Sequence, residues 1–298
     1  MFRGVYHEKT KHLPDLEQVL ARAEAAGVAA QIVTAGSLSE VDEAAAISGR
    51  NLFCTAGCHP TRAVELESYP GGAAAYVEAL AERVAAHKHK VVAIGECGLD
   101  YDRLHFAPAE AQKRAFDAQL ELAERLRLPL FLHSRAAHSD LVSILAPRLA
   151  ALRRALAAEE PADEHSPGSV GVVHSFTGTK EEAEELVRLG LFIGINGCSL
   201  KTEENLQVVR SIPLTRIMLE TAVLAAAREA NPDIPPGPDR VKPEKWRADA
   251  LVKGRNEPSA IVDVALVVAQ LKGVSLAELA EHAFNNTQRL FALDLYNN

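Results

Sequence analysis

The sequence contains few cysteines and few aromatic residues, and each shortage narrows the range of protein classes. Its 298 residues include four cysteines, Cys54, Cys58, Cys97 and Cys198. They form no CxxC pair, so nothing points to a cysteine-built zinc site or a disulfide framework, and we expect reduced thiols. Aromatic residues make up 5% of the chain, although hydrophobic residues reach 48%. The core must therefore be built mostly from small and aliphatic side chains.

Positive charge and long apolar runs are also scarce. The chain carries 32 Lys and Arg against 40 Asp and Glu, a net charge of −8. This balance argues against a broad basic face that coats duplex DNA, but it allows a local grip on a few phosphates. No apolar run reaches transmembrane length, and residues 1–12 lack the apolar stretch of a secretory signal. We therefore expect a cytoplasmic protein, with or without a nuclear pool, that does not bind membranes.

Short apolar runs alternate with longer amphipathic runs along the chain. The short runs are nearly continuous in apolar residues, which is typical of parallel strands buried on both faces. Strand–helix alternation at this spacing predicts βα units around a parallel sheet. Because the chain begins with a loop and a helix, we expect an α/β, TIM-type (β/α)8 barrel without its first strand, in a single domain over 1–298. The seven predicted strands lie within 28–36, 51–60, 90–100, 129–134, 170–176, 191–197 and 216–221.

The sequence contains start or stop signals for several helices. Residues 15–27 place apolar side chains on one stripe and end at a glycine, which suits a helix stop. Thr179 and Glu182 have the spacing of a capping box, and Ser275 and Glu278 repeat it before the last helix. These signals predict helix starts near positions 180 and 276.

Two polar, proline-bearing segments interrupt the alternation. Residues 151–169 change from a helical pattern to ALAAEEPADEHSPGS, which predicts a frayed helix end and a surface insertion. Residues 231–243 are too rich in proline for a helix or a central strand. We expect them to form a long loop after the last strand, on the face where barrel enzymes keep their active sites.

Chemically active side chains stand where four predicted strands end. These are His59, Glu96, His133 and His174. In a βα barrel such positions face one shared mouth, so the Glu and the imidazoles could together hold divalent cations. A salt bridge from Glu96 to Arg135 is the alternative. Imidazole suits Zn, Mn, Ni or Fe, and His59 could contact a phosphate or the attacking water instead of metal.

Three cationic side chains follow strand ends within a few residues. Arg62 and Arg135 could grip a phosphate through two parallel hydrogen bonds, and Lys201 could act as a point charge. For each of them alone, a solvated surface role fits the sequence equally well.

The order of these motifs resembles the TatD family of metal-dependent deoxyribonucleases, a group of amidohydrolase-like barrels, and in particular its eukaryotic branch. The matching segments cover nearly the whole chain and are much more specific together than singly. They are GCHPTR (57–62), VVAIGECGLDYDR (91–103), PLFLHSR (129–135), VVHSFTGT (172–179), IGINGCSLKTEENL (193–206), KGRNEP (253–258) and NNTQRLF (285–291).

The resemblance implies a hydrolase of DNA phosphodiester bonds, of the 3′-to-5′ exonuclease type, acting on DNA ends or single strands. It implies divalent ions, two in the family's site, with Mg, Mn and Zn all open. Glu96 would be the shared, catalytic ligand, and His133 and His174 would hold one metal. His59 would serve catalysis and, with the three cationic side chains above, orient substrate phosphates.

Two departures from the family pattern bear on activity. The family opens with a strand whose end supplies metal ligands, and this sequence starts beyond it. The family's last strand ends in E-T-D, whereas this chain reads Glu220, Thr221 and Ala222. Alanine neither coordinates metal nor accepts a proton, and Glu220 would be a poor substitute, so we expect impaired activity. A catalytically inactive barrel that binds nucleic acid or a protein partner is the alternative, and a hydrolase of another ester or amide is a third.

Overall fold

The computed structural model describes residues 4–6, 8–47, 49, 51–156, 168–221 and 240–295. Within these ranges the central sheet has seven parallel strands, and each strand pairs with the next one in the chain. All seven predicted strands are therefore confirmed in place and in order. They are β3 (Gln31–Val33), β4 (Leu52–Ala56), β5 (Val91–Asp100), β6 (Leu130–Arg135), β7 (Gly171–Val173), β8 (Leu191–Ile195) and β9 (Ile217–Leu219). This is the arrangement expected for a TIM-type barrel with one strand fewer.

Helices fill the connections between the strands and follow the last one. The predicted capping box is present, because the Thr179 hydroxyl and the Glu182 carboxylate each accept the other residue's backbone N–H. Ser275 likewise caps the last helix by accepting from the backbone N–H of Glu278. In the described part of the chain the helices are α1 (Leu16–Ala25), α2 (Leu38–Ala46), α3 (Val64–Ser68), α4 (Gly72–Ala86), α5 (Ala109–Leu126), α6 (His138–Leu145), α7 (Leu149–Ala155), α8 (Lys180–Arg188), α9 (Glu203–Ser211), α10 (Ile261–Lys272) and α11 (Leu276–Phe291).

The second residue of each sheet strand points to the inner face of the curled sheet. Six of these side chains are buried together in one core layer: Phe53, Val92, Phe131, Val172, Phe192 and Met218. Leu290, Phe291 and Leu293, at the end of α11 and just beyond it, close this layer from below. Side chains on the opposite face pack against the helices in a separate, larger core. The end of α11 thus covers one end of the inner layer, and the other end, where the strands have their carboxyl ends, is available for a functional site.

A buried ion cluster ties the segment after β9 to the start of α1. Arg255 is 1% exposed and donates to both carboxylate oxygens of Asp15, at 2.8 and 2.6 Å, and to Glu257 at 2.6 Å. Arg22 donates to the other oxygen of Glu257, at 2.9 Å, and Trp246 donates its indole N–H to Asp15. Because buried charges are stable only when they are paired, these contacts hold the KGRNEP segment against α1.

Two small sheets depart from the sequence-based expectation of loops. β1 (Val5–Tyr6) and β2 (Lys9–Thr10) form an antiparallel hairpin before α1. β10 (Arg240–Val241) pairs in parallel with β11 (Leu251–Val252), so the end of the predicted proline-rich loop is a short strand outside the main sheet.

Other predictions fall on residues 157–167 and 222–239, including Ala222, and lie outside the described residues. In the described ranges no single helix is both long and apolar enough to cross a membrane. The stretches 258–272 and 276–291 meet that measure only as a pair bent by 108°.

Candidate active site

Glu96 occupies a break in the pairing of β5 with β6. Gly95 pairs with Phe131 and Cys97 pairs with Leu132, so Glu96 has no partner on the neighbouring strand. Its backbone N–H instead donates to the carbonyl of Ala35, beyond the end of β3, at 2.9 Å. A bulge of this kind re-aims a side chain, and here it places the carboxylate over the inner core layer.

The alternation of side chains along the strands brings the other predicted residues to Glu96. His133 and His174 each follow an inner-layer residue, Phe131 and Val172, by two positions, so both point to the inner face. His133 Nδ1 lies 2.8 Å and His174 Nε2 lies 2.7 Å from the same oxygen, Oε1 of Glu96. Two imidazoles from neighbouring strands therefore converge on one carboxylate atom.

A second carboxylate stands behind each of these imidazoles. Asp100, which is buried at the end of β5, accepts from His133 Nε2 at 3.1 Å through Oδ2. Glu220, just beyond β9, places Oε2 at 3.5 Å from His174 Nδ1. Each carboxylate keeps a proton on the ring nitrogen that faces it, His133 Nε2 or His174 Nδ1, and orients the other nitrogen towards Glu96.

The three carboxylates set the pKa values of the site. Burial disfavours the charged form of His174, but Glu220 and Glu96 outweigh burial and raise its pKa to about 10. Burial and the partners Asp100 and Glu96 oppose each other in the same way at His133, whose pKa is raised. Burial also acts against ionisation of Glu96, yet hydrogen bonds from His133, His174 and His59 hold its pKa far below the usual range. The site therefore favours positive charge between its carboxylates.

This donor set fits a divalent cation. Each of the two rings, His133 and His174, has a carboxylate at both of its nitrogens. A carboxylate only accepts hydrogen bonds, so without a cation each ring carries a proton on both nitrogens. A dication can replace the two protons that face Glu96 and would meet two imidazole nitrogens and one carboxylate oxygen, a mixed set that suits Zn or Mn. The carboxylate–histidine pairs behind these nitrogens are the usual support of metal-binding imidazoles.

His59 joins the group in a different role. It lies beyond the end of β4, and its Nε2 is 3.4 Å from Oε1 of Glu96. Ligand atoms of His59, Glu96 and His133 all lie within 4.8 Å of one another. However, His59 Nδ1 accepts the backbone N–H of Thr61, at 3.1 Å, so in the neutral ring the proton sits on Nε2. That nitrogen can donate to a carboxylate or a phosphate oxygen, which fits a substrate or water contact better than metal ligation.

Glu220 makes more contacts in the site than the sequence analysis expected of it. Its Oε1 accepts the backbone N–H of Ser175, at 3.1 Å, and its Oε2 accepts the side chain of Asn196, at 3.3 Å. The Glu220 carboxylate occupies space that a side chain at position 194 would fill, because a Cβ added to Gly194 would lie 1.8 Å from Oε1 of Glu220. The glycine follows Phe192 of the inner layer by two positions, so the missing side chain leaves room for a carboxylate from the neighbouring strand.

Sequence reasoning missed two buried glutamines on α5. Gln119 binds both backbone groups of Cys58, the residue before His59, at 2.7 and 3.1 Å. Gln112, two turns earlier on the same face, binds both backbone groups of Asp100, at 2.7 and 2.9 Å. Both are fully buried, so α5 holds the ends of β4 and β5 in place. A polar residue repeated at i and i+7 on an apolar helix face was the available signal.

The three predicted phosphate-binding cations do not touch the Glu96 group. The alternative salt bridge from Arg135 to Glu96 is wrong, because Arg135 donates to Asp102 at 2.7 Å and to Thr177 at 2.6 Å. Arg62 turns to the exposed carboxylates of Glu40 and Glu65, at 3.8 and 3.6 Å. Lys201 is exposed, without a hydrogen bond or ion pair to another described residue. Roles in substrate binding stay predictions for all three.

Several known proteins are similar to this chain over nearly its whole length. The sequence profile of the family described as TatD-related DNase matches residues 6–292. A Schizosaccharomyces pombe protein named deoxyribonuclease Tat-D is 41% identical and covers 98% of this chain and 92% of its own. An Erwinia tasmaniensis protein named 3′-5′ ssDNA/RNA exonuclease TatD is 36% identical, over 97% and 98%. The crystal structure of an Entamoeba histolytica TatD-family hydrolase superimposes with a TM-score of 0.83 at 32% identity, over 97% and 93%.

Proposed function

This chain belongs to the family of TatD-related DNases, and from that premise we propose that it hydrolyses phosphodiester bonds of DNA at the site around Glu96. The observation that carries the proposal is the convergence of His133 and His174 on one oxygen of Glu96, at 2.8 and 2.7 Å. Each imidazole is backed by a further carboxylate, which prepares its inner nitrogen for a cation.

Glu96, His133 and His174 would hold the divalent ion that TatD-family nucleases require. A divalent ion there would polarise the phosphodiester and lower the pKa of an attacking water. We propose Mn or Zn over Mg, because two of the three donors are imidazoles. A second ion, as the resemblance implies, would share Glu96.

The protein's own groups then have distinct tasks. Asp100 and Glu220 keep His133 and His174 in one orientation and one tautomer. The Nε2–H of His59 points into the same space and can donate to a non-bridging phosphate oxygen. Arg135 is half exposed at the rim, where its fork can take a phosphate by leaving Asp102.

The finer substrate assignment follows the named relatives. A bacterial relative is named a 3′-5′ exonuclease of single-stranded DNA and RNA, and we propose the same polarity and an unpaired strand for this chain. We also propose action in the cytoplasm, with or without a nuclear pool, which a fluorescent fusion at either terminus would locate.

The direct test is degradation of single-stranded oligonucleotides carrying a label at the 5′ or the 3′ end. The protein is assayed with Mg, Mn or Zn and with EDTA, beside Glu96→Gln and a matched control, Glu185→Gln. Glu185 is also a carboxylate that binds a histidine ring, His138 at 2.8 Å, but on outer helices. We expect metal-dependent release of mononucleotides from the 3′ end and a loss of at least about 10²-fold in Glu96→Gln alone.

Equal turnover by wild type and Glu96→Gln would contradict the assignment of the site. Metal-independent binding of nucleic acid, without turnover under any of the three metals, would favour the inactive barrel instead. Release from the 5′ end would overturn the polarity and leave the site intact.

A further inference from the structure

The loop that follows β5 presents large apolar side chains to solvent. After a 3₁₀ turn over Tyr101–Arg103, Leu104 is 44% exposed and Phe106 is 57% exposed. The rings of His105 and Phe106 stand 4.2 Å apart between centroids. Among the described residues, Phe106 is the most exposed aromatic side chain of a chain that is poor in aromatics. A ring that is exposed in this way has a free face on which a planar ligand can stack.

The loop is fixed at both ends. One buried side chain, Gln112, binds the backbone of Asp100 at the loop's start and the carbonyl of Ala107 at its end, at 2.8 Å. The backbone N–H of Phe106 closes a turn onto the carbonyl of Arg103, at 3.0 Å. Ala107 is fully buried. Leu104 and Phe106 are therefore held out by an anchored loop, so little ordering would be needed for them to bind something.

The same loop borders the candidate active site. Its first anchor, Asp100, contacts His133 at 3.1 Å. Asp102 holds Arg135, which also reaches Thr177 after β7, so the ends of three strands share one rim. Phe106 follows Asp102 by four residues, which limits their separation to about 14 Å. A strand whose phosphate reached the Glu96 group would have neighbouring nucleotides within reach of this rim.

We propose that Phe106, supported by Leu104, is a stacking platform for an unpaired nucleobase of the substrate strand. This inference rests on the proposed nuclease function and adds the feature that selects single strands. An aromatic face takes any unpaired base, whereas bases inside a duplex already stack on their neighbours. Stacking needs no net positive charge, in agreement with the charges here: Asp100 pairs with Arg103 on the loop, and Asp102 pairs with Arg135 at the end of β6.

A protein partner fits this patch less well. Its two large apolar side chains are flanked by exposed Asp102, Arg103 and His105, so the apolar surface is small. A stable protein interface buries at least about 1,000 Å² in total. A single base covers an area close to that of one phenylalanine ring.

The experiment compares a single-stranded oligonucleotide with a series in which one nucleotide at a time is abasic. Wild type, Phe106→Ala, Phe106→Trp and the control Phe284→Ala are assayed for KM and kcat with Mn. They are assayed for Kd by fluorescence anisotropy with a labelled strand. Phe284 is 42% exposed on α11 and serves as a matched exposed ring. We expect Phe106→Ala to raise KM and Kd about 5- to 30-fold with nearly unchanged kcat.

The abasic series makes the test specific. One abasic position should weaken binding to wild type by a similar factor and bring no further loss in Phe106→Ala. Phe106→Trp should restore binding, and Phe284→Ala should match wild type. An unchanged Kd in Phe106→Ala, or an abasic penalty that persists in it, overturns the platform. A change of oligomeric state in Phe106→Ala would overturn it in favour of a protein contact. Because Kd is measured without turnover, a wild type that binds but does not cleave would refute only the nuclease function.

Discussion

Replacing Glu220 by glutamine is expected to weaken metal binding by about 10- to 100-fold while leaving the rate at saturating metal within about threefold of wild type. Glu220 accepts three donors: the backbone N–H of Ser175, the amide of Asn196 and Nδ1 of His174. A glutamine of the same shape has one acceptor oxygen and an NH₂ group. It must therefore fail at least one of these donors.

Both orientations of the new amide carry a penalty. If its NH₂ faces His174, that ring must accept at Nδ1, and its proton moves to Nε2, the nitrogen aimed at Glu96. If its NH₂ faces Ser175, a backbone N–H loses its acceptor, at about 1–3 kcal/mol. The expected loss of affinity corresponds to about 1.4–2.7 kcal/mol, which is in the same range.

The assay is activity against free Mn²⁺ concentration, with calorimetric titration of metal as a second readout. Glu185→Gln, the carboxylate beside His138, is the matched control and should titrate like wild type. An unchanged half-saturating concentration in Glu220→Gln would refute the reasoning that Glu220 prepares His174. Loss of maximal rate with unchanged metal affinity would instead place Glu220 in the reaction itself, as a substitute for the acid missing at position 222.

Three further outcomes are expected. Restoring the family acid by Ala222→Asp should raise kcat/KM by about 10²–10³-fold, and no increase would show that position 222 does not limit activity. In EDTA, Tm should fall between pH 6.5 and about 10, because the raised pKa of His174 gives stability that is complete below pH 6.5 and lost as the ring deprotonates. Added Mn²⁺ should remove this fall in Tm, since the ion takes the place of the protons. A fall of the same size in His174→Gln would show that deprotonation of His174 is not its cause. Arg255→Met should lower the free energy of unfolding by about 3–5 kcal/mol in denaturant titrations, because buried Asp15 loses the guanidinium that contacts both its oxygens and buried Glu257 keeps only Arg22. The exposed pair of Arg210 serves as control, and Arg210→Met should lose less than about 1 kcal/mol.

The strands and most of the candidate site could be predicted because both follow from a period of two. His133 and His174 close apolar runs, and their inward direction is set by Phe131 and Val172 two positions earlier. Any sequence that buries those apolar residues inside the sheet must also bring the two histidines to its inner face. The convergence of these rings could therefore be expected before their distances were known.

What the sequence could not predict depends on contacts between strands. The position of Glu96 depends on a break in the β5–β6 register, which a single strand does not encode. The reach of Glu220 depends on the absence of a side chain at Gly194 on the neighbouring strand. Arg135 was assigned to phosphate or to Glu96 because charge alone does not say which carboxylate is nearest, and Asp102 turned out to hold it.

These three features were not predicted for the same physical reason, and that reason bears on the activity expected of the site. The carboxylates behind the two imidazoles come from different strands than the imidazoles they support: Asp100 beside His133, and Glu220 beside His174. The cation-binding geometry is thus set, among the described residues, by contacts between strands of the packed sheet. Ala222 stands where the resemblance implies an acid, while both supporting pairs are present, so we expect metal binding and turnover to separate in this chain. Tight metal binding with slow cleavage is the expected signature, and weak binding with fast cleavage would contradict the role given to the two pairs.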